Sequence, residues 1–198
     1  MYSSESIEKL VDILSTLPTI GRKTAQRLTF YLLRQPESFI EQFSNALIDI
    51  KKNVKLCNIC FNFTETIPCP ICKSDKRNKQ IICVVEEPND ILAIEKTHEF
   101  NGQYHVLHGV INPLEGISAD DLKIKELISR VAQNDIEEVI LALNPSVQGE
   151  LTTFYIAKLL NQLQVKVSKI ASGVPMGSAI EYADEATISR ALEGRIII

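Results

Sequence analysis

The chain has 198 residues, of which 45% are hydrophobic and 23% charged, with a formal net charge of −4. That length suits one large domain or two small ones, and the apolar content is enough for a packed core. No segment approaches the roughly 20 apolar residues of a membrane helix, and the start, MYSSESIEKLVDIL, with Glu5, Glu8 and Asp12, does not read as a signal peptide.

A cytoplasmic location follows as the expectation, where thiols stay reduced and grouped cysteines are more often metal ligands than disulfides. The net charge conceals a split: residues 1–82 carry 12 Lys/Arg against 8 Asp/Glu, and residues 83–198 carry 9 against 17. The positive excess is densest between Lys51 and Lys79. Such asymmetry points to a first part able to meet an anionic polymer, the plainer alternative being solvated lysines on an ordinary surface.

In chain order, residues 6–16 place Ile7, Leu10, Val11 and Leu14 on one helical stripe after serines suited to capping. LPTIG interrupts it: Pro18 fixes φ and Gly21 permits a tight turn. A second helix is expected over 22–33 with Ala25, Leu28 and Leu32 inward, and a third after Pro36 with Phe39, Ile40, Phe43, Leu47 and Ile50 on one side, making a three-helix bundle. LPTIGRKTAQRL looks like a helix-hairpin-helix element, which aims backbone N–H groups and a helix N-terminus at a phosphate. Lys23 and Arg27, four apart, share a face, and Arg22 sits on the turn. These three are the candidate DNA-binding residues; the alternative is a tight turn between packed helices. Phosphate contacts of this type give salt-sensitive affinity without sequence preference.

CNICFNFTETIPCPIC follows, two C-x-x-C pairs separated by eight residues. Each pair bends the backbone so that two sulfurs face one centre, and two such knuckles complete a thiolate tetrahedron around Zn²⁺. Cys57, Cys60, Cys69 and Cys72 are the candidate ligands of a structural zinc, weighed against a redox dithiol pair. The spacer accommodates a short hairpin, and four protein ligands leave no open position for catalysis. Cys83 lies in an apolar run and reads as a small buried hydrophobe.

Beyond the cysteines the pattern alternates, which predicts an α/β domain with a mostly parallel sheet. The strands are IICVVEE, YHVLHGVI, EVILAL and VKVSKIA; the helices are residues 89–97, DDLKIKELISRVAQ and GELTTFYIAKLLNQL; the tail adds a helix and a short terminal strand. Ligands of such sheets gather beyond the strand carboxyl ends. Glu86 and Glu87 end the first strand, Asn144 ends EVILAL, Glu150 follows in the next loop and Asp90 lies nearby, an oxygen-rich set suited to a hard cation such as Mg²⁺. The arrangement resembles the Toprim domain of topoisomerases, primases and related nucleases, with Gln148 where that domain usually has an acid and no Asp-x-Asp pair. A catalytic two-metal centre, weak Mg²⁺ binding and protein docking are the three readings of Glu86, Asp90 and Glu150. His105 and His108 read as packing or surface residues. No G-x-x-x-x-G-K-[ST] loop is present.

The order of these parts, with ICVVEEPND, YHVLHGVINPLEGI and GVPMGSAIEYADEATISRALEGR, resembles the RecR family of bacterial recombination mediators along nearly the whole chain. The resemblance implies an α+β multidomain protein. Its parts are a helix-hairpin-helix region at 1–55, a four-cysteine zinc finger at 56–79, a Toprim domain at 80–172 and a C-terminal association segment at 173–198. It implies a non-enzymatic role in recombinational DNA repair, at the nucleoid, acting with RecO and in some settings RecF to load RecA onto single-stranded DNA. It also implies self-association as a dimer or tetramer, in clamp-like form. Lys23 and Arg27 match the family's DNA-contacting positions, the four cysteines its zinc ligands, and Glu86, Asp90 and Glu150 its Toprim acids, which serve partner binding. Thr19, Gln148, His108 (where glycine is usual) and Ser172 depart from the family pattern. The competing classes are a Mg²⁺-dependent Toprim nuclease or strand-joining enzyme, without an evident nucleophile, and a zinc-bearing transcription regulator, without a base-reading helix.

Overall fold

The structure, a computed structural model, describes residues 4–195. It divides into two compact units, Met1–Val54 and Lys55–Ile198. The cysteine segment therefore clusters with the α/β part of the chain, and the helical unit is nearly neutral, with 7 Lys/Arg against 6 Asp/Glu over residues 1–54. The positive excess of the first part of the sequence is thus divided between the units.

The helical unit contains α1 (Glu5–Ser15), α2 (Arg22–Leu33) and α3 (Glu37–Asn53). α1 and α2 pack together and bury Val11, Ala25 and Thr29, whose hydroxyl bonds back to the Ala25 carbonyl at 2.9 Å. Ser4 occupies the N-cap of α1, but its side chain makes no capping bond. In the turn, the left-handed residue is Thr19 at φ 66°, while Gly21 has an ordinary φ of −77°. The hairpin thus keeps its shape at a β-branched residue, at a cost of about 1 kcal/mol.

α3 departs from the expected bundle, because none of its residues is buried. Phe39, Ile40, Phe43, Leu47 and Ile50 are all exposed, Leu47 by 57% and Ile50 by 63%. The apolar periodicity is real, yet periodicity states only that a face needs cover and not which surface supplies it.

The second unit opens with a hairpin, β1 (Lys55–Leu56) against β2 (Phe63–Thr64), and a one-turn helix, α4 (Pro70–Lys73). A four-stranded parallel sheet follows, formed by β3 (Ile81–Val85), β4 (Gln103–Val106), β5 (Glu138–Ala142) and β6 (Lys166–Lys169) in the order β4-β3-β5-β6. The connecting helices are α5 (Pro88–Glu95), α6 (Ile124–Gln133) and α7 (Val147–Leu160), and α8 (Glu185–Glu193) lies near the end. The expected terminal strand, residues 196–198, falls outside the described residues.

β3 is central and its apolar run splits between two cores because successive side chains alternate. Ile82 and Val84 join Leu107, Leu127, Val131, Val139, Leu141, Ile156 and Leu160 beneath α6 and α7. Cys83 and Val85 join Ile91, Tyr104 and Val106 on the other face, with Phe61 and Ile71 of the cysteine segment packed against them. Cys83 is a buried hydrophobe, as expected, and burial pushes its thiol up to about 12. β4 is shorter than YHVLHGVI: it stops at Val106, followed by His108 at φ 61° and Gly109 at φ 132°. α7 starts at Val147, two residues earlier than expected, so Glu150 lies in its first turn and not in the preceding loop. Gly149 is obligatory there, since a Cβ would stand 2.0 Å from the Asn144 carbonyl oxygen.

A half-buried clamp closes one end of the second core. Arg77 grips Glu95 through both guanidinium nitrogens and reaches the carbonyls of Phe100 and Gly102, and Tyr104 donates its hydroxyl proton to Glu95 at 2.6 Å. Arg77 holds the Glu95 carboxyl below its usual range. A depressed folded pKa means stability that is present above the unfolded carboxylate value, roughly 4.3, and lost as pH falls through the lower folded value. Glu95→Gln should therefore cost about 2 kcal/mol at pH 7. In paired denaturant unfolding at each pH, the gap between wild type and variant should close in acid.

Candidate zinc site and nucleic-acid interface

The first cysteine pair sits in the loop of the β1–β2 hairpin, which encloses the knuckle instead of lying between the two pairs as expected. Cys57 N–H donates to the Asn62 carbonyl at 2.8 Å and Phe61 N–H to the Cys57 carbonyl at 3.0 Å, which closes the loop. The second pair is set by α4: Cys69 is its N-cap and Pro70 fills the first helical position, where a missing N–H costs nothing.

All four sulfurs lie within 4.8 Å of one another and all four residues are buried. Cys60 and Cys69 sulfurs are 3.6 Å apart. That is far too long for a disulfide and close to the ~3.8 Å edge of a thiolate tetrahedron with Zn–S bonds near 2.3 Å. Backbone N–H groups of Cys69 and Cys72 point at Cys57 Sγ and Cys69 Sγ, at 3.4 and 3.5 Å. Such donors favour thiolate over thiol. Hydrogen bonds from Cys60 and Cys72 hold the Cys69 thiol well below its usual range, while the shared bond pushes Cys60 up. The donor set, spacing and burial fit a structural Zn²⁺ held by Cys57, Cys60, Cys69 and Cys72.

The knuckle rests on the sheet. Val106 N–H, at the end of β4, donates to the Cys60 carbonyl at 2.8 Å, so the cysteine segment covers an edge strand that is buried along its length. His105 is fully buried, bonds the Lys123 carbonyl through Nε2 at 2.8 Å and meets the Phe61 ring edge-on, which makes it a packing residue. Burial lowers its pKa to about 4, so it is neutral at physiological pH. His108, at a φ that glycine favours, bonds the Phe61 carbonyl at 2.7 Å and packs on Phe63.

The three candidate acids lie near the switch point between β3 and β5 but are each engaged separately. Glu86 accepts from Asn144 Nδ2 at 2.8 Å. Asp90 caps α5 by accepting from Glu87 N–H at 2.8 Å. Glu150 is held by Lys169 Nζ at 2.6 and 2.8 Å and faces Arg190 of α8 at 3.5 Å. Among the described residues, the four cysteines form the sole cluster of three or more metal-ligating side chains, so these acids give Mg²⁺ no support. Lys169 and Arg190, the cations that occupy Glu150, come from elements remote in sequence and carry no local signal.

On the helical unit, Arg22 is occupied: its guanidinium bonds Asp12 at 2.7 Å and Glu8. Lys23 and Arg27 are exposed on α2, and no ion pair of either is found among the described residues. They line a shallow groove of about 500 Å³ with Gln26, Tyr31, Arg34 and Gln35. Arg34 lines the same groove without having been singled out from the sequence; it follows Lys23 by three full helical turns, a periodicity that places the two on one side.

The geometry defines a four-cysteine site suited to zinc on a parallel α/β layer, with a helical hairpin earlier in the chain, and comparison with known families agrees. Residues 7–51 match the helix-hairpin-helix of RecR, 54–74 the four-cysteine zinc finger domain of RecR, 80–171 the Toprim domain and 173–196 the RecR C-terminal family. The chain is 54% identical over 200 residues to "Recombination protein RecR" of Chloroherpeton thalassium, covering 98% of both proteins. It is 51% identical to that of Clostridium perfringens, covering 98% of this chain and 97% of the relative, and 50% identical to that of Carboxydothermus hydrogenoformans over the full length of both. The chain belongs to the RecR family.

Wild-type protein should carry one zinc per chain by elemental analysis, and Cys69→Ser should carry none. Because the knuckle covers β4, the variant should also lose hydrogen-exchange protection along that strand, not only within the cysteine segment.

Proposed function

We propose that this chain is a non-catalytic recombination mediator that holds DNA by its phosphates and recruits partner proteins to load RecA onto single-stranded DNA. The observation that carries the reading is the pair Lys23 and Arg27, cations on one exposed face of α2 for which no ion pair is found among the described residues. α2 contains no acidic residue. Lysine or arginine left unpaired along a helix face is what a phosphate backbone neutralises, with release of counterions. Arg22, already bonded to Glu8 and Asp12, serves the hairpin, and Arg34 extends the strip instead. The relatives' name, a recombination protein, supports the biological setting.

In this reading residues 1–55 hold DNA, 56–79 carry the structural zinc, 80–172 dock partners and 173–198 take part in self-association. RecO, and RecF where it acts, meet the acidic surface around Glu86 and Asp90, while Glu150 braces α8 through Arg190. The setting is the cytoplasm at the nucleoid, and among the described residues no helix is long and apolar enough to cross a membrane. Self-association follows from α3, whose apolar side is too extensive to remain in water: Phe39, Ile40, Phe43, Leu47 and Ile50 run along it. A second copy supplies the cover, and closed pairing of copies yields a clamp around DNA.

Lys23→Ala with Arg27→Ala should weaken DNA binding equally across sequences. It should also flatten the plot of log affinity against log salt, by about 1.4 on single strands or 1.8 on duplex. Wild-type affinity and slope at matched salt would remove the assignment. Phe43→Asp with Leu47→Asp should lower the mass seen by size-exclusion light scattering without unfolding α1 and α2, and an unchanged mass would place the association elsewhere.

A further inference from the structure

Three consecutive carbonyls of the first zinc knuckle are each hydrogen-bonded by the α/β layer. The Ile59 oxygen accepts from the Arg130 guanidinium at 3.3 Å, the Cys60 oxygen from Val106 N–H at 2.8 Å, and the Phe61 oxygen from His108 Nε2–H at 2.7 Å. A carbonyl accepts only, which requires His108 to carry its proton on Nε2. The same guanidinium also bonds the Tyr104 carbonyl at 2.7 Å and the Gln103 side-chain oxygen, so one planar group spans from the knuckle to β4.

The direction of the Cys60 sulfur depends on the backbone torsions of these residues, and Phe61 is held at φ 61°, a conformation that a non-glycine residue abandons unless restrained. Its ring is fixed as well, edge-on to His105 and 5.3 Å from Lys123 Nζ. Charge acts in the same sense. A zinc ion with four thiolates is a buried net anion, and Arg130 brings a guanidinium to the cleft of about 740 Å³ that Cys72, Ile59 and Phe61 line.

We propose that Arg130 and His108 are positioning residues of the zinc site, holding the Cys60 knuckle from outside the coordination sphere so that zinc retention is set by the α/β layer. The proposal rests on the zinc assignment of the four cysteines. It makes the metal site and β4 one mechanical element: tension released at Arg130 or His108 frees Cys60, and loss of the metal frees the edge that Cys60 covers. Groups that orient metal ligands without touching the metal typically change affinity by about 10- to 100-fold.

The test is zinc transfer from the purified full chain to a metallochromic chelator, followed as a rate, together with the visible spectrum of the Co²⁺-substituted protein. Arg130→Gln and His108→Gly are the variants; glycine accepts the left-handed backbone at 108, so the second keeps the fold while removing only the ring. Ile156→Ala, which opens a cavity in the core beneath α6 and α7 that contains no residue of the cysteine segment, is the control for general loss of stability. Both variants should release zinc about 10- to 100-fold faster than wild type and alter the tetrahedral Co²⁺ bands. Arg130→Lys, which keeps charge but not the fork, should fall between, and Ile156→Ala should lower Tm with zinc transfer unchanged. Wild-type release rates in both variants would overturn the proposal, as would equal acceleration in Ile156→Ala. A wild-type protein devoid of zinc would instead overturn the metal assignment itself.

Discussion

A parallel sheet must have its edges covered or solvated, and in this protein the edge strand β4 is buried along its length. Its cover is a metal-binding knuckle too small to hold a shape alone, joined to it by the bond from Val106 N–H to the Cys60 carbonyl. Each part solves the other's problem: a zinc held by the four cysteines would give the knuckle a rigid backbone, and the sheet gives it a surface to lie on. From β4 the constraint passes to β3, with which it is in register from Ile82 to Val85, and so to the switch point where Asn144 bonds Glu86. The candidate docking surface therefore stands on the same framework as the metal site.

Electrostatics is distributed by pairing more than by net charge. The helical unit is almost neutral, yet α2 presents Lys23, Arg27 and Arg34 along one side because its neighbouring acids, Glu8 and Asp12, are spent on Arg22. The acidic part shows the reverse. Glu150 belongs to an anionic stretch of sequence but is neutralised by Lys169 and Arg190, and Asp90 is a helix cap. Counting charges along the chain located a tendency; which charges remain available for a ligand depends on partners brought from a distance.

The clustering of the four cysteines was legible because metal chemistry imposes a spacing that few other purposes require, and the strand and helix runs because burial imposes a period. The limits of three elements were less so. Residues 104–111 read as one strand, but the chain turns at His108 and Gly109, where a histidine adopts a glycine-like φ that composition does not reveal. Thr19 likewise takes the left-handed turn position although a glycine stands two residues further on. α3 read as the third member of a bundle, since its apolar side is indistinguishable in sequence from one that packs within the same unit.

By itself the sequence carried the four-cysteine spacing suited to zinc, the alternation that makes a parallel α/β layer, and the order of motifs that resembles the RecR family. The first two rest on local spacing and periodicity, which survive in one dimension, and the third on the resemblance of motifs taken in order. Tertiary structure alone decided that the cysteine segment joins the α/β unit, that Arg22 and Glu150 are paired while Lys23 and Arg27 have no ion pair among the described residues, and that Arg130 and His108 reach the knuckle. Such facts depend on which residues far apart in the chain come within a few ångströms, and Coulomb and hydrogen-bond energies fall off too steeply with distance for sequence proximity to stand in for contact.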